Sequence, residues 1–140
     1  MPTLQLKVAP LLNPERYRAL AQALTRITAQ HLGKREDVTA VVIDDLPAAR
    51  WYIGGRGVQR ATALLEITVT AGTNTVAQKQ AFIVAAFSEL QAQLGHGQPL
   101  EDASYVTVRE VPASDWGYGG QSQAARRQKA AQLTPQTAVF

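Results

Sequence analysis

The sequence predicts an α+β fold in which two tandem β-α-β units form one four-stranded sheet with two helices on one face. Three observations predict it. Short runs of apolar residues alternate with polar ones, and capped helical runs lie between them. The whole pattern then occurs a second time at a nearly constant offset.

Leu4, Leu6 and Val8 alternate with Gln5 and Lys7, the period of a strand with one buried face. Asn13-Pro14-Glu15 starts a helix: Asn caps it, Pro suits its first position, and Glu favours the positive end of the dipole. Tyr17, Leu20, Leu24, Ile27 and His31 recur at three- and four-residue steps, with Ala21 and Thr28 filling the stripe. Leu32-Gly33 ends the helix with a left-handed cap. Val38 to Leu46 reads as the second strand, and Pro47 to Gly55 as a turn-rich segment folding back into a short hairpin. Arg56 to Thr62 is a polar connector.

The second unit repeats these features. Leu65, Ile67 and Val69 alternate with Glu66, Thr68 and Thr70, and Thr75-Val76-Ala77-Gln78 has capping-box spacing. Ile83, Phe87, Leu90 and Leu94 form the helical stripe, which Leu94-Gly95 stops as Leu32-Gly33 stops the first. Tyr105 to Val111 is the matching strand. Val111 to Gly120 answers Leu46 to Gly55, with proline, alanine, tryptophan and the glycine pair all recurring. In each unit a right-handed crossover helix joins two parallel strands. The chain therefore reads as a single domain over 1–140, with units at 2–57 and 63–120 and a tail at 121–140. In the tail, Gln121 to Gln132 is helical, Pro135 ends the helix, and an apolar arm closes the chain. The second sheet face (Thr3, Gln5, Lys7; Glu66, Thr68, Thr70) is polar but weakly charged, which suits packing against another subunit.

Composition excludes several classes of function. Hydrophobic content of 46% with 18% charged residues is that of a soluble globular protein, and no apolar run has the length of a membrane span. The first residues lack the basic and apolar segments of a secretory signal, so the expected location is cytoplasmic. With no cysteine there is no disulfide, thiolate nucleophile or thiolate metal site. A scattered net charge of +3 is no nucleic-acid footprint. His31 and His96 stand alone without metal-ligand spacing, Gly54-Gly55-Arg56-Gly57 opens no helix as a dinucleotide loop would, and no serine sits in a nucleophile elbow. Asp44-Asp45 reads as a solvated strand edge. No metal or cofactor is expected.

One stretch carries chemistry: Met1-Pro2 running straight into the first strand. Methionine is normally removed before a small residue, and removal here leaves Pro2 with a free secondary amine. An α-amine titrates at roughly 7.7–8.0, and burial or a nearby cation lowers that value by disfavouring the ammonium. Such a nitrogen serves as a general base near neutral pH.

An amino-terminal proline, β-α-β units and a strand-to-hairpin segment ending Ile53-Gly54-Gly55 resemble the tautomerase superfamily, typified by 4-oxalocrotonate tautomerase. The doubled length is similar to its fused members, which include malonate semialdehyde decarboxylase and the 3-chloroacrylic acid dehalogenases. The segment Asp115-Trp116-Gly117-Tyr118-Gly119 looks most like the decarboxylase branch. The resemblance implies a homotrimer of two-unit chains with Pro2 as the catalytic residue. It also implies substrate-binding roles for Trp51 (an aromatic pocket wall), Trp116, Tyr105 and Asp37; Asp37 matches the decarboxylase's aspartate only across a one-residue gap. The chain departs from the family at its arginines. The two arginine positions of the short tautomerase hold Leu12 and Ala40, with Tyr105 as the second-unit counterpart of Ala40. The fused enzymes' arginine pair is replaced by Ala71-Gly72-Thr73-Asn74-Thr75, and the dehalogenases' glutamate position holds Tyr118.

These observations lead to an expected isomerase, a tautomerase acting on a small enol or α-keto acid without nucleic-acid or membrane partners. Pro2 is its base, near apolar Leu4, Leu12 and Trp51. Tyr105, backbone N–H groups, Arg50, Arg56 or Arg109 are candidate donors to the intermediate's oxygen. A decarboxylase with protonated Pro2, or a trimeric binding protein that has lost the activity, are the alternatives.

Overall fold

The computed structural model describes the backbone of residues 1–139 and the side chains of residues 1–133. The first unit runs β1 (Thr3–Ala9), α1 (Pro14–Leu32), β2 (Ala40–Asp45) and a two-residue ribbon of β3 (Tyr52–Ile53) and β4 (Arg56–Gly57). The second runs β5 (Thr62–Thr70), α2 (Val76–Leu94), β6 (Tyr105–Val111) and a ribbon of β7 (Gly117–Tyr118) and β8 (Gln121–Ser122). Helix α3 (Gln123–Val139) follows. No helix among the described residues is long and apolar enough to cross a membrane.

The main sheet has the order β2-β1-β5-β6. Within each unit the strands are parallel, Thr3 opposite Ala40 and Leu64 opposite Tyr105. Between units β1 and β5 are antiparallel, Thr3 opposite Thr68 and Ala9 opposite Thr62. The units thus lie head to tail, and β1 begins where β5 ends. One sheet face (Leu4, Leu6, Val8, Leu65, Ile67, Val69) packs with Leu20, Leu24, Phe82, Leu90 and Leu94 of the helices into a single core. The other face stays open and is less polar than its β1 residues imply, since Val42 and Tyr105 on its outer strands are each 62% exposed.

Most caps form as their residues predict. Asn13 Oδ1 accepts from Arg16 N–H at 2.8 Å, Gly33 takes φ 67°, and Thr75 and Gln78 form both bonds of the capping box. Several expectations need correction. The buried row of α2 is Phe82, Ala86, Leu90 and Leu94, whereas Ile83 and Phe87 are 36% and 37% exposed. A straight i, i+4 row with small Ala86 at its centre lets α2 sit close to the sheet, and Phe87 lies one residue's rotation away from it. Gly95 is right-handed (φ −75°), and the left-handed turn falls to His96 and Gly97. Gly95 is needed for space instead, because a Cβ there would collide with the Gln98 carbonyl. The 3-10 turn Glu36–Val38 takes the first residue expected of β2. Arg56 and Gly57 belong to the first ribbon, not the connector. In the tail, α3 continues past Pro135, whose missing N–H removes one rung of the helix without ending it. The expected terminal arm is helical backbone as far as Val139, and Phe140 lies outside the described residues.

Asp45 is a tie and not a solvated edge. Its Oδ2 accepts from the Leu12 N–H and the Tyr17 hydroxyl, each at 2.7 Å, binding the loop after β1 to the end of β2. These bonds, the Leu12 N–H foremost, hold the Asp45 carboxyl below its ordinary value of 3.8. Its contribution to stability is therefore present above pH 3.8 and lost as pH falls through the lower folded value. Urea unfolding of Asp45→Asn against the wild type at pH 6 and pH 3 should show a gap at pH 6 that narrows at pH 3. Core truncation behaves differently: Leu65→Ala should cost about 2–5 kcal/mol at both pH values, as a cavity does.

Candidate active site

Extending the β1–β5 register beyond Thr3 sets Pro2 across from Val69 and the amino terminus across from Thr70. Pro2 is buried, its carbonyl accepting from Ala40 N–H at 3.2 Å, while Met1 is exposed. The surroundings of this end come from both units. Trp116, half-buried in the segment after β6, donates its indole N–H to Thr70 Oγ1 at 3.2 Å. Lys34, just past the cap of α1, donates to Thr73 Oγ1 at 2.9 Å, and that hydroxyl donates to the Thr70 carbonyl at 2.7 Å. Asn74 Nδ2 reaches back to the Leu32 carbonyl at 2.9 Å, holding the loop after β5 against the end of α1.

Arg35 and Asp37 form a fork at this end, with bonds of 2.6 and 3.1 Å. Asp37 is thereby spent on neutralising Arg35. The start of α3 closes the arrangement: Gln123 N–H donates to the Trp116 carbonyl at 2.9 Å and Ala124 N–H to Ala113 at 2.8 Å. Arg126 stacks 3.6 Å above the Tyr118 ring and donates to the Tyr118 carbonyl at 2.8 Å.

The electrostatics follow from this crowding. The Met1 amine is held below its ordinary value of 8.0, first by burial and then by the charges of Lys34 and Arg35. The Lys34 ammonium is itself pushed down, first by burial and then by Arg127. A less basic amine gives up its proton more readily near neutral pH, and a partly desolvated ammonium at the same end can hold a developing negative charge.

Of the residues singled out by sequence, Pro2, Trp116 and Asp37 lie at the same end of the sheet. Trp51 and Tyr105 do not. Tyr105 opens β6 beside Leu64, which pairs with Lys7 at the far end of β1, roughly 20 Å away along the strands. Trp51 follows β2 out of that same far end, and Leu12 is bound there to Asp45, so neither lines Pro2 within the chain. Arg50 and Arg56 share the far end. Arg109 is on the open face at the level of Thr68 and pairs with Glu66 at 3.5 Å. The cations missed were Lys34, Arg35 and Arg127. The signal available was that the loop after α1 must return to β2, the parallel neighbour of β1, and so passes the amino terminus.

This arrangement predicts the response of the terminal amine to charge changes. Lys34→Gln should raise its pKa partway towards 8.0, because burial remains. Asp37→Asn should lower it further by leaving Arg35 uncompensated. Titration of the amine by pH-dependent acylation or nitrogen NMR distinguishes the two; equal shifts in both variants would show that the two cations do not act on it.

Residues 2–61 match the family model described as "Tautomerase enzyme", a match that begins at Pro2. No curated protein matches the chain. Among solved structures, a wild-type fused 4-OT in an asymmetric trimer superposes with a TM-score of 0.78 at 28% identity, over 89% of this chain and 98% of that one. Another wild-type fused 4-OT, a symmetric trimer, gives 0.77 at 28% identity with the same coverage. A malonate semialdehyde decarboxylase inhibited by 3-bromopropiolate shares the fold, with a TM-score of 0.70 at 18% identity over 90% of this chain and 96% of its own. The first unit thus matches the tautomerase family, and the chain as a whole has the fold of the fused, two-unit 4-OT structures.

Proposed function

We propose that the chain, with Met1 removed, is a tautomerase in which the Pro2 amine is the general base for keto–enol tautomerisation of a small enol or α-keto acid. The observation that carries this reading is the position of residue 2: buried at the head of β1, next to a Met1 amine that desolvation and the cations Lys34 and Arg35 depress, so that removal of Met1 puts the Pro2 amine in the same surroundings. The Pro2 nitrogen takes the proton of the enol hydroxyl, and the O–H electron pair becomes the carbonyl π bond. The electrons of the carbon–carbon double bond then take the proton back from the ammonium at carbon. The net change is one proton moved from oxygen to carbon. Lys34, anchored on Thr73, faces the enolate oxygen, and the loop without a cation of its own is thus supplied with one from α1.

A depressed amine argues against the decarboxylase alternative, which needs Pro2 protonated at working pH. The open sheet face, with Val42 and Tyr105 exposed, supports assembly into a homotrimer. In that assembly Trp51 and Tyr105 would reach a Pro2 only from a neighbouring copy. Light scattering on a sizing column checks this, and a monomer at micromolar concentration would remove that source of pocket walls.

Three measurements test the chemistry. Intact mass should fall short of the translated chain by one methionine. Ketonisation of phenylenolpyruvate should rise with pH through a midpoint below 8.0, where the amine loses its proton. Pro2→Ala should lose most of the rate, by roughly 10²–10⁴-fold if the base is removed outright, and less if the new terminal amine substitutes. Efficient decarboxylation of malonate semialdehyde with little ketonisation, both lost in Pro2→Ala, would reverse the assignment; neither activity would leave the binding protein.

A further inference from the structure

The two ribbons correspond residue for residue, Tyr52 opposite Gly57 in one and Gly117 opposite Ser122 in the other. In both, the residue after the ribbon donates its N–H to the tryptophan carbonyl, Val58 to Trp51 at 3.1 Å and Gln123 to Trp116 at 2.9 Å. They differ in what holds them. In the second unit Arg126 stacks 3.6 Å above the Tyr118 ring and donates to the Tyr118 carbonyl at 2.8 Å. The corresponding residues of the first unit are Ile53 and Ala61, which have neither ring nor charge. This clamp belongs to the end of the sheet that carries Pro2.

The guanidinium fits closely against the ribbon. Gly119 takes φ 62°, and a Cβ on it would lie 2.9 Å from Arg126 Nη2. Arg126 Nε is buried without a hydrogen-bond partner, and among the described residues Arg126 makes no ion pair. A buried N–H without an acceptor destabilises, so an aliphatic side chain would dock α3 at lower cost. What the guanidinium adds is a flat cation on a ring and a directed bond to the turn. A ribbon with two residues in each strand has little rigidity of its own. Trp116 immediately precedes it, with its carbonyl bonded to α3 and its indole N–H to Thr70 at 3.2 Å.

We propose that Arg126 is a positioning residue: its clamp on Tyr118 fixes the second ribbon and so holds Trp116 as an apolar wall at the Pro2 end, favouring enol acids that carry an aromatic substituent. Specificity is then set by an element outside the two β-α-β units. The substrate class rests on the Pro2 reading above, whereas the hold on Trp116 is separately measurable.

The test uses the full mature chain and the variants Arg126→Leu, Arg126→Lys and Lys129→Gln. The last removes a charge from an exposed position of α3 and so controls for long-range attraction. Trp51→Phe assigns the two indole N–H resonances. Arg126→Leu should shift the Trp116 resonance and leave that of Trp51, which reports an intact fold. For phenylenolpyruvate it should raise KM roughly tenfold, the scale of one aromatic contact, with kcat within about twofold. The midpoint of the pH–rate profile should stay in place. For 2-hydroxy-2,4-pentadienoate, an enol acid without a ring, KM should rise less than about threefold. Arg126→Lys keeps the charge and a donor but not the flat face, so it should fall between Arg126→Leu and the wild type. Lys129→Gln should behave as the wild type. If Arg126→Leu does not fold, Arg126→Lys carries the same comparison. An unmoved Trp116 resonance, a shifted pH midpoint, or equal rises in KM for both enols overturns the proposal. A moved resonance with unchanged KM keeps the tautomerase and removes the wall. If the wild type ketonises neither enol, the Pro2 reading falls, and the resonance alone decides whether Arg126 holds Trp116.

Discussion

The antiparallel seam between β1 and β5 is the constraint on which the rest of the structure depends. Each unit by itself is a parallel pair with a crossover helix, and two such pairs can be joined side by side in either sense. Pairing Thr3 with Thr68 and Ala9 with Thr62 makes the join head to tail. The start of each unit's first strand then lies at the end of the other unit's last strand. The segment that follows β6 therefore leaves the sheet at the Pro2 end, and the one that follows β2 leaves it at the Ala63 end.

That arrangement makes the two ends of the sheet chemically unequal despite their common plan. At the far end the position equivalent to Pro2 is an internal amide: Ala63 N–H donates to Ser104 Oγ at 3.2 Å, and Thr62 shares a hydrogen with the same hydroxyl. Glu101 accepts from the Gln59 and Arg60 N–H groups at 2.8 and 3.2 Å and pins the connector down. Its polar groups are bound to one another. At the near end the polar groups include Lys34, which among the described residues has a hydroxyl partner but no acid, and a depressed Met1 amine. Satisfied polar groups stabilise, while unsatisfied charge beside a titratable nitrogen favours reaction.

Burial outranks charge at this amine. Arg35 is paired with Asp37 and Lys34 is bonded to Thr73, and desolvation at the head of β1 is the larger cause. The core closes at Leu4 and Val69 at the same end of the sheet where burial lowers the basicity of the Met1 amine.

The sequence alone determined the repeated units, the helix caps at Asn13, Gly33 and Thr75, the buried alternation of β1 and β5, and the likeness that led to Pro2. These depend on neighbours three or four residues apart, and local spacing records them. It misjudged which side of α2 is buried, because two adjacent rows of apolar residues satisfy the same period and only the sheet's closeness to Ala86 selects between them. The identity of the residues around Pro2 was decided by tertiary structure alone. Trp51 and Trp116 are interchangeable by sequence, as are Arg50, Arg56, Arg109, Lys34 and Arg127 as sources of positive charge. The sense of one strand pairing and the docking of α3 separate them, and both are contacts between residues dozens of positions apart.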